Sequence, residues 1–243
     1  AALLMAGTDI SPASTIVKSF MSSRSFLSMT TKRERHHTTS QIVAPTIRVY
    51  EQDATTFLKR WVSRRTRPPV LLLDVLAHLP NTSAILDLGC GGGQDARAIH
   101  AKGFRVVGMD LTTAFLRSAR KTAPLVPLVR ADMRDLPFQQ EAFNGVWAVA
   151  CLMHVPKPEA AQVLKRLSRI VRPGGLLAAT VTHGTQSRIR TDGWMPGRYF
   201  ARWQKAELAC VVERNGWTIE ALHVVSNQER KGRWLNLIAR RPE

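Results

Sequence analysis

Asp87, Gly89, Gly91 and Gly93 alternate with other residues at the end of a short apolar run, Ile85-Leu86-Asp87-Leu88, and Gln94-Asp95-Ala96 follows. An apolar run that stops at a glycine turn and resumes as helix-compatible sequence reads as strand, tight turn, helix. Glycine reaches positive φ at little cost and lets a ligand lie against the main chain. The first N–H groups of the helix lack intrahelical partners and favour an anionic group. Such a crevice suits a nucleotide-like cofactor. Dinucleotide folds use G-x-G-x-x-G with an acid about 20 residues on. Here the glycines alternate, and Asp87 stands just ahead of them.

Four further landmarks follow in order. Phe104 to Leu111 reads as a second strand ending in Asp110, 21 residues after Gly89. A carboxylate there can accept hydrogen bonds from both hydroxyls of a ribose. Leu128 to Phe138 holds a third strand and Asp132, Phe143 to Val155 a fourth strand and its exit, and Arg172-Pro173-Gly174-Gly175 turns into a fifth at Leu176. Together these resemble the class I S-adenosylmethionine-dependent methyltransferases, with closest likeness to the bacterial small-molecule enzymes, over roughly residues 48 to 241. One departure is Asn144, where the family often has Asp; that position is more often structural than catalytic.

The resemblance implies an α/β fold: a Rossmann-like, doubly wound, seven-stranded sheet, mostly parallel, with an antiparallel last strand. It implies S-adenosyl-L-methionine as cofactor, held by Tyr50, Asp87, Gly89, Cys90, Gly91, Asp110, Leu111, Asp132, Met133 and Cys151. In the family the acid matching Asp132 binds the adenine amino group, and the next N–H, here that of Met133, meets a ring nitrogen. Tyr50 is expected to reach the methionine end, with plain packing as the alternative.

Methyl transfer from a sulfonium is an in-line displacement that depends mainly on alignment. A general base is needed only where the nucleophile must lose a proton early. His154, just past the fourth strand, is the candidate base, because imidazole titrates near neutrality; the alternative is that it orders its loop. His183 is a second candidate of the same kind. The connection 183–203 reads as a substrate lid. Its Arg198 and Tyr199 are the expected acceptor contacts, since an Arg pairs with carboxylate or phosphate and aromatics wall planar substrates. Phe200 and Trp203 are expected to pack the lid instead.

The rest of the chain must position these groups. A helix is expected to open at Tyr50 and run to Trp61 or Arg64, and Pro68-Pro69 breaks it before a second helix at 70–78. Further helices are expected near 95–102, 113–122, 159–171 and 204–215, and two last strands at 217–225 and 232–240. Residues 1–40, rich in Ser and Thr, read as a flexible or transit-like extension, and 41–243 as the methyltransferase domain.

Bulk properties narrow the function. The 243 residues suit one doubly wound domain. No run of about 18 apolar residues predicts a membrane span. Three scattered cysteines form neither a disulfide framework nor a metal spacing, and fit a reducing cytosol. A net charge of +17 invites a nucleic-acid reading, but the basic excess is spread nearly in proportion to length. After the fourth strand Ala150-Cys151-Leu152-Met153 replaces the Asn/Asp-Pro-Pro-aromatic motif of amino-directed nucleic-acid enzymes. A small-molecule acceptor, anionic or aromatic, is therefore favoured over RNA ribose or ring-nitrogen methylation and over a non-catalytic cofactor-binding scaffold.

Overall fold

The computed structural model describes residues 3–4, 19–21, 37–62, 68–227 and 232–243. In chain order the elements are β1 (Leu3–Leu4), α1 (His37–Val62), α2 (Val70–Ala77), β2 (Ala84–Leu88), α3 (Gln94–Ala101), β3 (Arg105–Asp110), α4 (Thr113–Thr122), β4 (Leu128–Arg130) and β5 (Phe143–Val149). A 3₁₀ turn (Leu152–His154) leads to α5 (Lys157–Ile170) and β6 (Val171–His183). Then come β7 (Arg188–Ile189), β8 (Tyr199–Phe200), β9 (Arg202–Trp203), α6 (Lys205–Arg214), β10 (Thr218–Asn227) and β11 (Gly232–Arg240).

β2 is buried along its whole length, as a parallel strand covered on both faces must be. Alternate side chains then serve opposite layers. Leu86, Leu88, Val107, Met109, Val146, Leu177 and Ala179 face α5 and α6. Ile85, Val106, Trp147, Leu176 and Ala178 face α2, α3 and α4. α5 answers with Ala160, Val163, Leu164, Leu167 and Ile170, an i, i+3, i+4, i+7 stripe.

The sheet order is β1-β4-β3-β2-β5-β6-β11-β10, with β9 paired to β6. Five strands run parallel, and β11 lies antiparallel between β6 and β10. The order reverses between β2 and β5. Beyond the carboxyl ends of strands at such a switch point an open α/β sheet leaves a crevice. The expected seven strands are all present. Two more, β1 and β9, raise the count to nine; each has two residues, too short for alternation to show.

α1 differs from expectation. Tyr50 does not open a helix but sits inside one that starts at His37. Thr38, Thr39, Thr46 and Pro45 lower helical propensity ahead of it, which hid the start. The helical path breaks just after, at Asp53 (φ −106°, ψ 17°). Arg64 lies outside the described residues, as does most of the expected extension 1–40. Within that stretch Phe20 is buried and stacks on Phe143 at 5.1 Å. Met21 bridges to Phe138, and the Gln139 side chain donates to the Met21 carbonyl.

Asn144 explains its own departure from the family. Its Oδ1 accepts the Ala84 N–H at 2.9 Å and so fixes the start of β2. Only an acceptor oxygen is used, and an amide supplies one as well as a carboxylate does.

Candidate active site

The glycine turn after β2 is built by its neighbours. Gly89, Gly91 and Gly93 have φ of 70°, 52° and 81°. The main-chain N–H groups of Gly89 and Cys90 both donate to the Met109 carbonyl, which pins the turn to the end of β3. A Cβ on Gly89 would lie 2.4 Å from the Cys151 Cβ, whereas one on Gly91 would meet nothing within 4 Å. Gly89 is thus a glycine for packing, and Gly91 faces open space. Ala150, at φ 58°, makes the sharp bend that swings Cys151 against Gly89. Its N–H is held by Thr180.

Asp110 ends β3 beside this turn. Its Oδ2 accepts the Gly91 N–H at 2.9 Å and its Oδ1 the Thr112 N–H at 2.8 Å. Burial pushes the carboxyl above its ordinary range, and hydrogen bonds from Thr112, Gly91 and Leu111 pull the other way. The Thr112 side chain also bonds to this carboxylate, so its position beside the turn is fixed from several sides. Asp87 is buried at the end of β2. Its charge and that of Asp110 add to burial in pushing the Cys90 and Cys151 thiols up. Both cysteines are neutral thiols, which removes a thiolate attack of the cytosine-C5 kind.

Asp132 is differently placed than its expected role suggests. Both of its oxygens are engaged by Arg134, with contacts of 2.7–3.0 Å, and Arg134 also reaches Glu159 at 3.1 Å. Adenine recognition through Asp132 would share a carboxylate already paired. The Met133 N–H makes no hydrogen bond among the described residues.

Three residues far apart in sequence converge above the crevice. His154 Nδ1 lies 2.8 Å from the Tyr199 carbonyl, and Nε2 lies 2.9 Å from the Tyr50 hydroxyl. A carbonyl only accepts, so Nδ1 carries the proton; Nε2 therefore accepts from the tyrosine. Arg198 Nη1 in turn donates to the Tyr50 oxygen at 3.2 Å. Burial first, and the Arg198 charge, lower the His154 pKa to about 4, against the pull of the Tyr199 carbonyl. With both nitrogens engaged and the ring neutral, His154 is built as an orienting group for Tyr50 rather than as the expected base. His183 lies at the end of β6, where its carbonyl accepts from Arg202.

This arrangement predicts an acid limb in stability. The unfolded chain binds a proton at this imidazole below its ordinary pKa of 6.5, and the folded chain does so only near 4. Stability from His154 is complete above 6.5 and is lost as pH falls toward 4, because the unfolded state then holds more protons. Between pH 7 and 4.5 the loss is about 2 kcal/mol. Denaturant melts at both pH values should show His154→Gln losing less stability on acidification than the wild type; equal losses would refute the neutral, buried ring.

The connection 183–203 is tied down by backbone contacts. β7 pairs with β8, and β9 pairs with β6. Tyr199, an expected acceptor contact, uses its main chain to hold its neighbours: its N–H donates to Thr46 Oγ1 at 2.8 Å and its carbonyl holds His154. Phe200 and Trp203 are buried packing groups. Sequence reading missed Glu51. Its two carboxylate oxygens accept the Thr113 and Ala114 N–H groups at 2.6 and 3.0 Å. That caps α4 in accord with its dipole and docks α1 so that Tyr50 faces the site. Its only signal was its place beside Tyr50.

Residues 85–175 match the family model described as "Methyltransferase domain". The chain is 38% identical over 122 residues to a trans-aconitate 2-methyltransferase of Acidovorax ebreus, covering 49% of this chain and 46% of that protein. Over this stretch the chain is similar to methyltransferase domains. It is 34% identical over 98 residues to a malonyl-[acyl-carrier protein] O-methyltransferase of Pseudescherichia vulneris, covering 40% of this chain and 38% of that one. It thus spans less than half the length of these curated relatives in the matched regions. A solved structure of similar fold is the 1,6-didemethyltoxoflavin-N1-methyltransferase of Burkholderia thailandensis, determined with S-adenosylhomocysteine. The TM-score is 0.68 at 19% identity, covering 88% of this chain and 93% of that one. No helix among the described residues is long and apolar enough to cross a membrane.

Proposed function

We propose that this chain transfers a methyl group from S-adenosylmethionine to a small-molecule acceptor. The observation that carries the reading is the pairing of Asp110 with Gly91. The carboxylate is held at the end of its strand by the Gly91 and Thr112 N–H groups, beside a glycine whose missing side chain leaves open space. That donor set suits a ribose lying against bare backbone.

When bound, the cofactor supplies a methyl group already activated on a sulfonium. The protein's own task is then to bind, orient and exclude water. We assign Asp110 to the ribose hydroxyls, the Met133 N–H to the adenine ring, and Gly89, Cys90, Gly91, Leu111 and Cys151 to the walls of the crevice. Tyr50, held by His154 and Arg198, stands at the acceptor end, and residues 183–203 act as the lid. The relatives named above act on trans-aconitate, a malonyl carrier protein and a toxoflavin precursor, which supports a small or carrier-bound acceptor. The three free cysteines support a reducing compartment, the cytoplasm.

Calorimetric titration tests the reading. S-adenosylmethionine and S-adenosylhomocysteine are expected to bind in the micromolar range and NAD not at all. Silence from both sulfur ligands would overturn it.

A further inference from the structure

Arg198 is a cation at the wrong depth for a lone charge. It is only 4% exposed. Three aromatic rings surround it, with Tyr50, Trp194 and Phe200 at 5.3–5.4 Å. Its Nε donates to the Met195 carbonyl, its Nη2 to the Trp194 carbonyl and its Nη1 to the Tyr50 hydroxyl. Among the described residues no carboxylate lies within ion-pair distance of it. Ring faces and neutral oxygens stabilise a guanidinium in part, but a buried charge is ordinarily paired. His154, beyond Tyr50, offers no compensating charge in either protonation state.

The placement says where the missing charge comes from. The Tyr50 ring packs on Phe115, in the helix that follows Asp110, at 5.4 Å, and Arg198 bonds to the Tyr50 hydroxyl, so Tyr50 links Arg198 to the Asp110 end of the crevice. A guanidinium has five N–H groups. Three are used, which leaves one on each terminal nitrogen, and a carboxylate can take both. One buried cation matches the single charge of a carboxylate, whereas a phosphate dianion would bury an excess. Arg60, stacked 4.6 Å from the Trp194 ring, adds a second, exposed positive charge near the opening.

We propose that Arg198 is a carboxylate-receiving site at the acceptor end of the crevice, its charge completed by a bound small molecule rather than by the protein. The proposal rests on the methyltransferase reading above and deepens it. Two molecules could bring the carboxylate: the acceptor, or the cofactor through its amino-acid end. The shared chemistry is a planar monoanion pairing with a caged arginine.

Paired ligands whose carboxylates are either free or masked as methyl esters test it by calorimetry on the full chain: S-adenosylhomocysteine against its methyl ester, and trans-aconitate against its trimethyl ester. The wild type is expected to prefer at least one acid over its ester by about tenfold or more, as hydrogen bonds between charged groups imply. R198M is expected to abolish that preference, read as the ratio of acid to ester affinity, and R198K to restore part of it. A preference confined to the first pair assigns the site to the cofactor; one confined to the second assigns it to the acceptor. The proposal is overturned if the wild type prefers neither acid, if R198M keeps the preference, or if R198M weakens acid and ester alike, which marks a lid clamp only. Failure of the wild type to bind either adenosyl ligand would instead sink the methyltransferase reading, and the trans-aconitate pair would still decide on Arg198.

Discussion

Gly89→Ala is expected to cost about 4 kcal/mol of stability and to abolish cofactor binding. Two penalties add. The residue sits at φ 70°, where an L side chain costs roughly 1–2 kcal/mol. The new Cβ would also lie 2.4 Å from the Cys151 Cβ, a distance no real pair adopts. Relief requires the 150–152 bend to move, and overpacking of this kind costs about 1–3 kcal/mol. Because the clash is between two Cβ atoms, Cys151→Ala should not rescue the variant and Cys151→Gly should in part. Gly91→Ala is the contrast. It shares the positive φ but meets nothing within 4 Å, so its stability loss should stay near the φ penalty alone while the Cβ fills the space proposed for the ligand. Denaturant melts and calorimetry on the two variants separate packing from binding. Equal stability losses would show that Cys151 is not the wedge.

Asp110→Ala is expected to weaken S-adenosylhomocysteine binding by about two to four powers of ten. Two hydroxyls bonded to a charged acceptor contribute roughly 1.5–3 kcal/mol each. The substitution also strips Gly91 and Thr112 of the acceptor for their N–H groups, so the turn loses one of its ties to β3 and keeps those to the Met109 carbonyl. Asp110→Asn keeps one oxygen and should fall between alanine and the wild type. Affinity unchanged in the alanine variant would remove Asp110 from the ribose site and with it the main support for the proposed function.

The glycine turn, Asp110 and the succession of strands and helices along the chain were legible in the sequence because each depends on neighbours close in sequence. A strand that must bury both faces is written as an unbroken apolar run, as in β2. A turn that must carry a ligand is written in glycine. An acid at the end of the next strand falls at a spacing set by one helix and one strand. The start of α1 was less legible, since its first turns hold Pro45 and three threonines, which lower helical propensity. The pairing of Asp132 with Arg134 could not be foreseen either: the same acid serves equally well for a base edge or for an arginine two residues on, and only the local backbone path brings the guanidinium round.

The acceptor end lies at the far limit of that legibility. Tyr50 and His154 stand 104 residues apart, and Tyr50 and Arg198 stand 148 apart. From its sequence, His154 was a base that might titrate near neutrality. Burial between a carbonyl and a phenol makes it a neutral hinge for Tyr50. Arg198 was an expected acceptor contact from its place in the 183–203 connection, and its depth inside three rings is what the tertiary structure adds. The local order of strands, turns and acids therefore belonged to the sequence, because hydrogen bonding and apolar periodicity act over a few residues. The charge state and partners of the acceptor end belonged to the tertiary structure, because burial and convergence are properties no single segment possesses.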